Sequence, residues 1–218
     1  MLHINAATIQ SWERFYRANF INSLTGAKPV SLIGTVNRKG QPNLGVFSNI
    51  IHVGADPALV GYINRPREAA PHTLSNIESI GIYTINHIHA GMLAQAHQCS
   101  AKYPEGVSEF AETGLTPLFV EGCAAPFVQE SRIRYALSLQ DVVPIHLNNT
   151  FLVIGKIEQV MLEEDVLEPD GFLRTDRAGS LCSGGLDGYY SNSFITRYRY
   201  AKPGIPLQEL AGEAGDAG

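Results

Sequence analysis

Two short segments hold the side chains best suited to bind a small molecule. In YINRPREAAPHTLSNI, Arg65 and Arg67 follow a strand-like run, and His72 and Thr73 open a helix-like one. Two guanidinium groups, a hydroxyl and the outward-pointing amides of a helix N-terminus are the parts of a phosphate-monoester site, because a dianion needs several charge-assisted donors at once. Each has an ordinary reading too, in which the arginines are solvated and Thr73 is an N-cap. The second segment, NLGVFSNIIHV, has strand character but departs from simple alternation: Asn43, Gly45, Ser48 and Asn49 surround a single aromatic, Phe47. Small and amide-bearing positions let a planar heteroaromatic ring lie against the backbone and present its carbonyls and ring nitrogens to protein donors. A β-bulge at Gly45 is the competing explanation and binds nothing. A phosphate at one end and a polar ring at the other describe a phosphorylated cofactor.

Other residue groups carry less. His87, His89 and His97 are close in sequence, but HExxH is absent and no orienting partner can be named for them, so no metal site is expected. The Gly-rich run GSLCSGGLDGYY lacks both GxGxxG and a Walker lysine and reads as turns. Ser48 and Ser183 stand in no GxSxG elbow, so no hydrolase is indicated. Cys99, Cys123 and Cys182 are far apart and form no CxxC pair, which points to neither a disulfide framework nor zinc. Reduced thiols and the absence of a secretory pattern in MLHINAATIQSWERF lead us to expect a cytoplasmic protein. The net charge of −5, without a basic block, argues against nucleic-acid binding. No apolar run approaches membrane-spanning length.

The elements that must position these residues are mainly strands. PVSLIGTV and NLGVFSNIIHV read as a hairpin around the turn NRKGQP, with Gly40 and Pro42 as breakers. ALVGYIN and GIYTIN continue the pattern, and PHTLSNIES between them reads as a short helix. HAGMLAQAHQ is rich in helix formers and SEFAET adds a helical turn. Two long β runs follow, SRIRYALSLQDVVPIHL and TFLVIGKIEQVML, joined at Asn148 and Asn149. Ile9, Trp12, Phe15, Tyr16 and Phe20 predict an amphipathic N-terminal helix that packs on the core or on a partner subunit. Hairpin-linked strands favour a closed antiparallel sheet, a β-barrel with peripheral helices, over a doubly wound parallel one. The expected organisation is one domain over residues 1–204, with a tail at 205–218 that is mobile or weakly held.

In succession, KPVSLIGTVNRKGQPNLGVFSNIIHV, NRPREAAPHTLSNI, GIYTINHI, QAHQCSAKYPEGVSEFAETGLTP and GLDGYYSNSFITRYRYAKPG resemble the flavin reductase-like proteins, which include flavoredoxin. The resemblance implies an FMN-binding split β-barrel, antiparallel and Greek-key-like, working as a homodimer with FMN near the subunit interface. By motif match it implies Thr35, Val36 and Asn37 along the ribityl chain, and Asn43, Phe47, Ser48 and Asn49 beside the isoalloxazine. Arg65, His72 and Thr73 would hold the phosphate. Ser100, Ala101 and Lys102 would cover the flavin, and Tyr189 would reach the site from the C-terminal part. The flavin then carries the chemistry and no catalytic side chain is required. The implied activity passes hydride or electrons from NAD(P)H through FMN to free flavin or another redox acceptor. The alternative is an FMN-binding electron carrier without efficient NAD(P)H turnover; a split barrel without FMN is a third.

Overall fold

The structure is a computed structural model and describes residues 1–69, 71–104 and 106–210. In chain order the helices α1 (Ala6–Ser11) and α2 (Arg14–Leu24) precede the strands β1 (Lys28–Pro29), β2 (Ser31–Val36), β3 (Pro42–Phe47), β4 (Ile50–Ala55) and β5 (Ala58–Asn64). Next come α3 (Pro71–Ile80), β6 (Ile82–His87), a 3-10 turn at Ala90–Met92, α4 (Leu93–Gln98) and α5 (Glu109–Thr113). The remaining strands are β7 (Pro117–Leu118), β8 (Phe127–Val128), β9 (Ile133–Ile145), β10 (Thr150–Leu162), β11 (Leu181–Gly184), β12 (Gly188–Ser191), β13 (Arg197–Tyr198) and β14 (Glu209–Leu210).

Seven strands form one antiparallel sheet in the order β3-β2-β6-β9-β10-β5-β4. Strands β3 and β4 are therefore its two opposite edges, yet only Ser48 and Asn49 separate them in sequence. From Phe47 to Ile50 the chain covers three peptide steps, at most about 11 Å. A flat seven-stranded sheet would hold its edges nearly three times farther apart, at about 4.8 Å per strand. The sheet must roll until the edges approach, and because β3 and β4 do not pair, the barrel stays split along that seam. The fold is a split β-barrel, mainly antiparallel sheet with peripheral helices. Register shifts at Ile154/Gly155 and Ile157/Gln159 on β10 and at His52/Gly54 on β4 help to bend the long strands.

One face of the rolled sheet lines the interior. Ile33, Tyr62, Tyr83, Ile85, Leu137 and Val153 meet there with Leu74 and Ile77 of α3. The other face of β2 and β3 presents Leu32 and Leu44 to Ile88, Met92, Ala96, Cys99 and Phe110, an outer layer built from the segment around α4 and α5. Strand β2 is buried on both faces, which accounts for its near-continuous apolar run. Gly34 on β2 has no room for a side chain, since a Cβ there would collide with the Pro126 carbonyl oxygen and stand 2.6 Å from Thr84 Oγ1.

Two expectations are revised. NLGVFSNIIHV is two strands on opposite edges, broken at Ser48 and Asn49, and not the single second arm of a hairpin. The N-terminal helix is also two, because Glu13 accepts hydrogen bonds from the amides of Phe15 (2.8 Å) and Tyr16 (3.1 Å) and so starts a new helix after Trp12. It does not pack on the core: α2 has no buried residue, and two of its aromatics, Tyr16 and Phe20, meet the Trp12 ring edge-on at 5.0 Å. Glu209–Leu210 of the tail pairs with Arg197–Tyr198; residues 211–218 lie outside the described residues. No described helix is long and apolar enough to cross a membrane.

Gly34→Ala is expected to destabilise the fold by about 2 to 4 kcal/mol, since the clash is with backbone on a strand that cannot shift. Urea unfolding of the variant beside the wild type measures this; an unchanged midpoint would contradict the crowding at β2.

Candidate functional site

The free edge of β3 forms one wall of a cleft of about 580 Å³. Its other walls come from α3's first turn, the loop after α4, the end of α2, and β1 with β11 and β12. Of the residues singled out in the sequence, Asn43, Phe47, Ser48, Asn49, Arg65, His72, Thr73, Ser100, Ala101, Lys102 and Tyr189 all line it.

Thr35, Val36 and Asn37 do not. Thr35 is fully buried and its Oγ1 accepts from Asn76 Nδ2 at 3.1 Å, so it serves the α3 contact. Val36 is buried. Asn37 closes the β2–β3 turn, its Oδ1 accepting from the amides of Lys39 and Gln41. These three stand at the far end of the hairpin, which is taken up by its own turn and by the α3 contact.

Helix α3 brings its N-terminus to the cleft through two links to the hairpin. Asn76 holds Thr35, and Asn43 Nδ2 lies 3.4 Å from Thr73 Oγ1. Pro71 occupies the first helical position, where a missing N–H costs nothing. Thr73 therefore sits within the first turn and is not an N-cap. Gly45 has its explanation at this contact. The β2–β3 ladder keeps its register through Gly45, so there is no bulge. A Cβ at that position would stand 3.0 Å from the Phe47 ring and 3.2 Å from Thr73 Oγ1, so the glycine lets α3 dock on β3. Phe47 itself leans edge-on against Tyr62, with ring centroids 4.9 Å apart.

The two arginines of NRPR part company. Arg67 forms a bidentate pair with Glu78 at 2.6 and 2.7 Å and lies over the Phe151 ring, so it is not available to an anion in the cleft. Arg65 faces the cleft and has no ion pair among the described residues. The histidines are separately engaged: His87 with Ser180 Oγ at 2.9 Å, His89 with the Glu130 carbonyl oxygen at 3.0 Å, and His97 with Tyr189 Oη at 2.8 Å. Burial pushes His87 down to about 4.

Glu109 was not anticipated. It opens α5, is 7% exposed, and its Oε2 accepts the Leu44 amide at 2.9 Å from the free edge of β3. Burial pushes its carboxyl up, against the opposing effects of that hydrogen bond and of nearby His72. SEFAET reads as a helix with a solvated acidic start; only the fold turns Glu109 inward. Two other polar atoms of the cleft are buried without a hydrogen-bond partner among the described residues: Asn49 Oδ1, at the seam, and Ser183 Oγ, on β11. Leaving such an atom unsatisfied costs about 1 to 3 kcal/mol, which makes it a mark of a ligand site.

A family model described as "Flavin reductase like domain" matches residues 25–180. The chain belongs to the flavin reductase-like family. A candidate flavin reductase with a split barrel domain from Shewanella frigidimarina NCIMB 400 has a crystal structure 41% identical in sequence; the match covers 92% of this chain and 100% of that one, with a TM-score of 0.89. Nitrilotriacetate monooxygenase component B from Bacillus cereus shares the fold at 20% identity and a TM-score of 0.79, over 90% of this chain and 98% of its own. Flavoredoxin of Desulfovibrio vulgaris (Miyazaki F) does so at 24% identity and 0.67, over 82% and 91%. For a flavin reductase-like cleft the donor set fits: a free strand edge, a helix N-terminus and Arg65 suit a ring with amide-like edges and an anionic tail.

Because burial raises Glu109 in the folded state, ionising it costs more in the folded chain than in the unfolded one. Its contribution is complete below the ordinary carboxylate range near pH 4.3 and is lost as pH rises through the folded value. Glu109→Gln keeps a carbonyl acceptor for the Leu44 amide and removes the charge. The variant's Tm, measured relative to wild type, is expected to rise progressively between pH 4 and pH 7; a constant difference would show that Glu109 does not titrate in this window.

Proposed function

We propose that the cleft binds FMN and that the protein passes electrons from NAD(P)H through it to free flavin or another redox acceptor. The observation that carries this reading is the meeting in one cleft of an orphaned buried amide oxygen, Asn49 Oδ1, with a helix N-terminus and Arg65, which has no ion pair among the described residues. Arg65, His72, Thr73 and the first-turn amides of α3 hold a single phosphate monoester. Asn43, Phe47, Ser48 and Asn49 lie beside the ring. Ser100, Ala101 and Lys102, on the loop between α4 and α5, cover it and restrict water, and Tyr189 contacts its far side. Thr35, Val36 and Asn37 have no part in this assignment.

Bound in this way, FMN would supply the hydride chemistry, and the chain's own residues bind and orient it. None of them has to move a proton for that. The Shewanella neighbour's description supports reduction over simple electron carriage. Also proposed are a single domain over residues 1–204, a homodimer and a cytoplasmic setting. The uncovered apolar side chains of α2, Phe15, Tyr16 and Leu24, support the dimer, and the free thiols of Cys99, Cys123 and Cys182 support the setting.

The purified protein is expected to show flavin absorption bands once FMN is added and to bleach under NADH or NADPH without oxygen. Bands that persist would replace the reductase with a carrier reduced by a protein partner; no binding of FMN would overturn the cofactor. Arg65→Ala is expected to weaken FMN binding by about 1.5 kcal/mol, the low end for a charged hydrogen bond because Arg65 is exposed. A fluorescence titration with unchanged affinity would remove Arg65 from the phosphate site.

A further inference from the structure

Away from β3, a second set of polar side chains faces the cleft. In the three-stranded sheet β1-β11-β12, Lys28 stands opposite Ser183 and Ser183 stands opposite Tyr189. Directly paired residues share a face with Cβ atoms about 5 Å apart, so the three make a transverse row. All three line the cleft. Through its phenol the row continues to His97 of α4, 2.8 Å away.

Lys28 has donor capacity to spare, and Ser183 has none of its capacity used. Lys28 Nζ donates to the Asn22 carbonyl oxygen at 2.6 Å and to Thr25 Oγ1 at 3.3 Å, which leaves one ammonium hydrogen. That arrangement ties down the end of α2 and explains two of its donors. It does not explain Ser183, which is 4% exposed and whose hydroxyl meets no partner among the described residues. Burial and the nearby Asp187 carboxylate raise the Tyr189 phenol, so it stays protonated at neutral pH, and its one hydrogen is open to a ligand in the tautomer in which His97 Nδ1 donates to it. Ile21 and Leu186 supply apolar surface beside the row.

We propose that Lys28, Ser183 and Tyr189 form the recognition site for an oxyanion on the second, transient redox substrate, an anionic small molecule with a ring that rests on Ile21 and Leu186. This rests on the reading above, in which the cofactor occupies the β3 side of the same cleft and reaches Tyr189, which borders both regions. An ammonium, a hydroxyl and a phenol presented in one line suit two oxygens of a carboxylate or phosphate. That chemistry has two sources, a phosphate of the dinucleotide donor or a carboxylate of an aromatic acceptor.

The test uses FMN-loaded wild type, Ser183→Ala and Lys28→Met, with FMN affinity, KM and kcat for NADH and NADPH, and inhibition by benzoate as readouts. Both variants are expected to keep wild-type FMN affinity and to lose substrate affinity about five- to tenfold with kcat retained. Ser183→Ala, which removes an unpaired hydroxyl, is expected to unfold no earlier than wild type, so it stands if Lys28→Met disturbs α2. A rise confined to the KM of the dinucleotide identifies the phosphate source; weakened benzoate inhibition identifies the carboxylate source. Unchanged KM and unchanged inhibition in Ser183→Ala, with FMN still bound, would overturn the proposal. Loss of FMN affinity in Ser183→Ala would overturn the separation of the two regions. If wild type bound no FMN, the cofactor reading alone would fail, and calorimetric binding of benzoate to wild type and to Ser183→Ala would decide the oxyanion site.

Discussion

The structure depends on a length constraint. Ser48 and Asn49 alone connect the two outermost strands of a seven-stranded sheet, so the sheet has no choice but to roll. The seam it leaves places a strand edge, a polar two-residue link and the mouth of a cleft at one location. Their small polar side chains follow from that: bulky residues would obstruct the seam, and fully apolar ones would leave the cleft without hydrogen-bonding groups.

What lines the cleft is fixed from both sides of β3. Toward the interior, Gly45 and Asn43 admit the first turn of α3, so that the positive end of a helix faces the same opening as Arg65. Toward the exterior, Leu44 packs under α4 and α5 while its amide is taken by Glu109. The loop carrying Ser100, Ala101 and Lys102 is thus held between α4, buried through Ala96, and the anchored start of α5. A binding surface assembled from short loops gains its rigidity from these three attachments.

Much of this was legible in the sequence, and the reasons differ by residue. Long strands such as β9 and β10 declared themselves through branched apolar runs, and Arg65, His72 and Thr73 of NRPREAAPHTLSNI, singled out for their chemistry, do share one cleft. Arg67 and Arg65 were indistinguishable, because only the fold brings Glu78, two turns along α3, to claim the first. The break at Ser48 was not visible either, since strand propensity is local and a seam is a property of the closed sheet. Gly45 was read as space for a ligand, and the fold adds that it is also space for a helix. Glu109 and the Lys28–Ser183 pairing depend on contacts across 65 and 155 residues of chain respectively, beyond any window of periodicity.

A strand with one unpaired edge invites another polypeptide to add to it, and β3 is such a strand beside an open cleft. The inward carboxylate of Glu109 occupies the Leu44 amide, and the first turn of α3 stands over Gly45. An incoming chain would have to displace both, whereas a flat ring entering from the side would displace neither. The same side chain that shapes the cleft thereby occupies the edge group that strand addition at Leu44 would need.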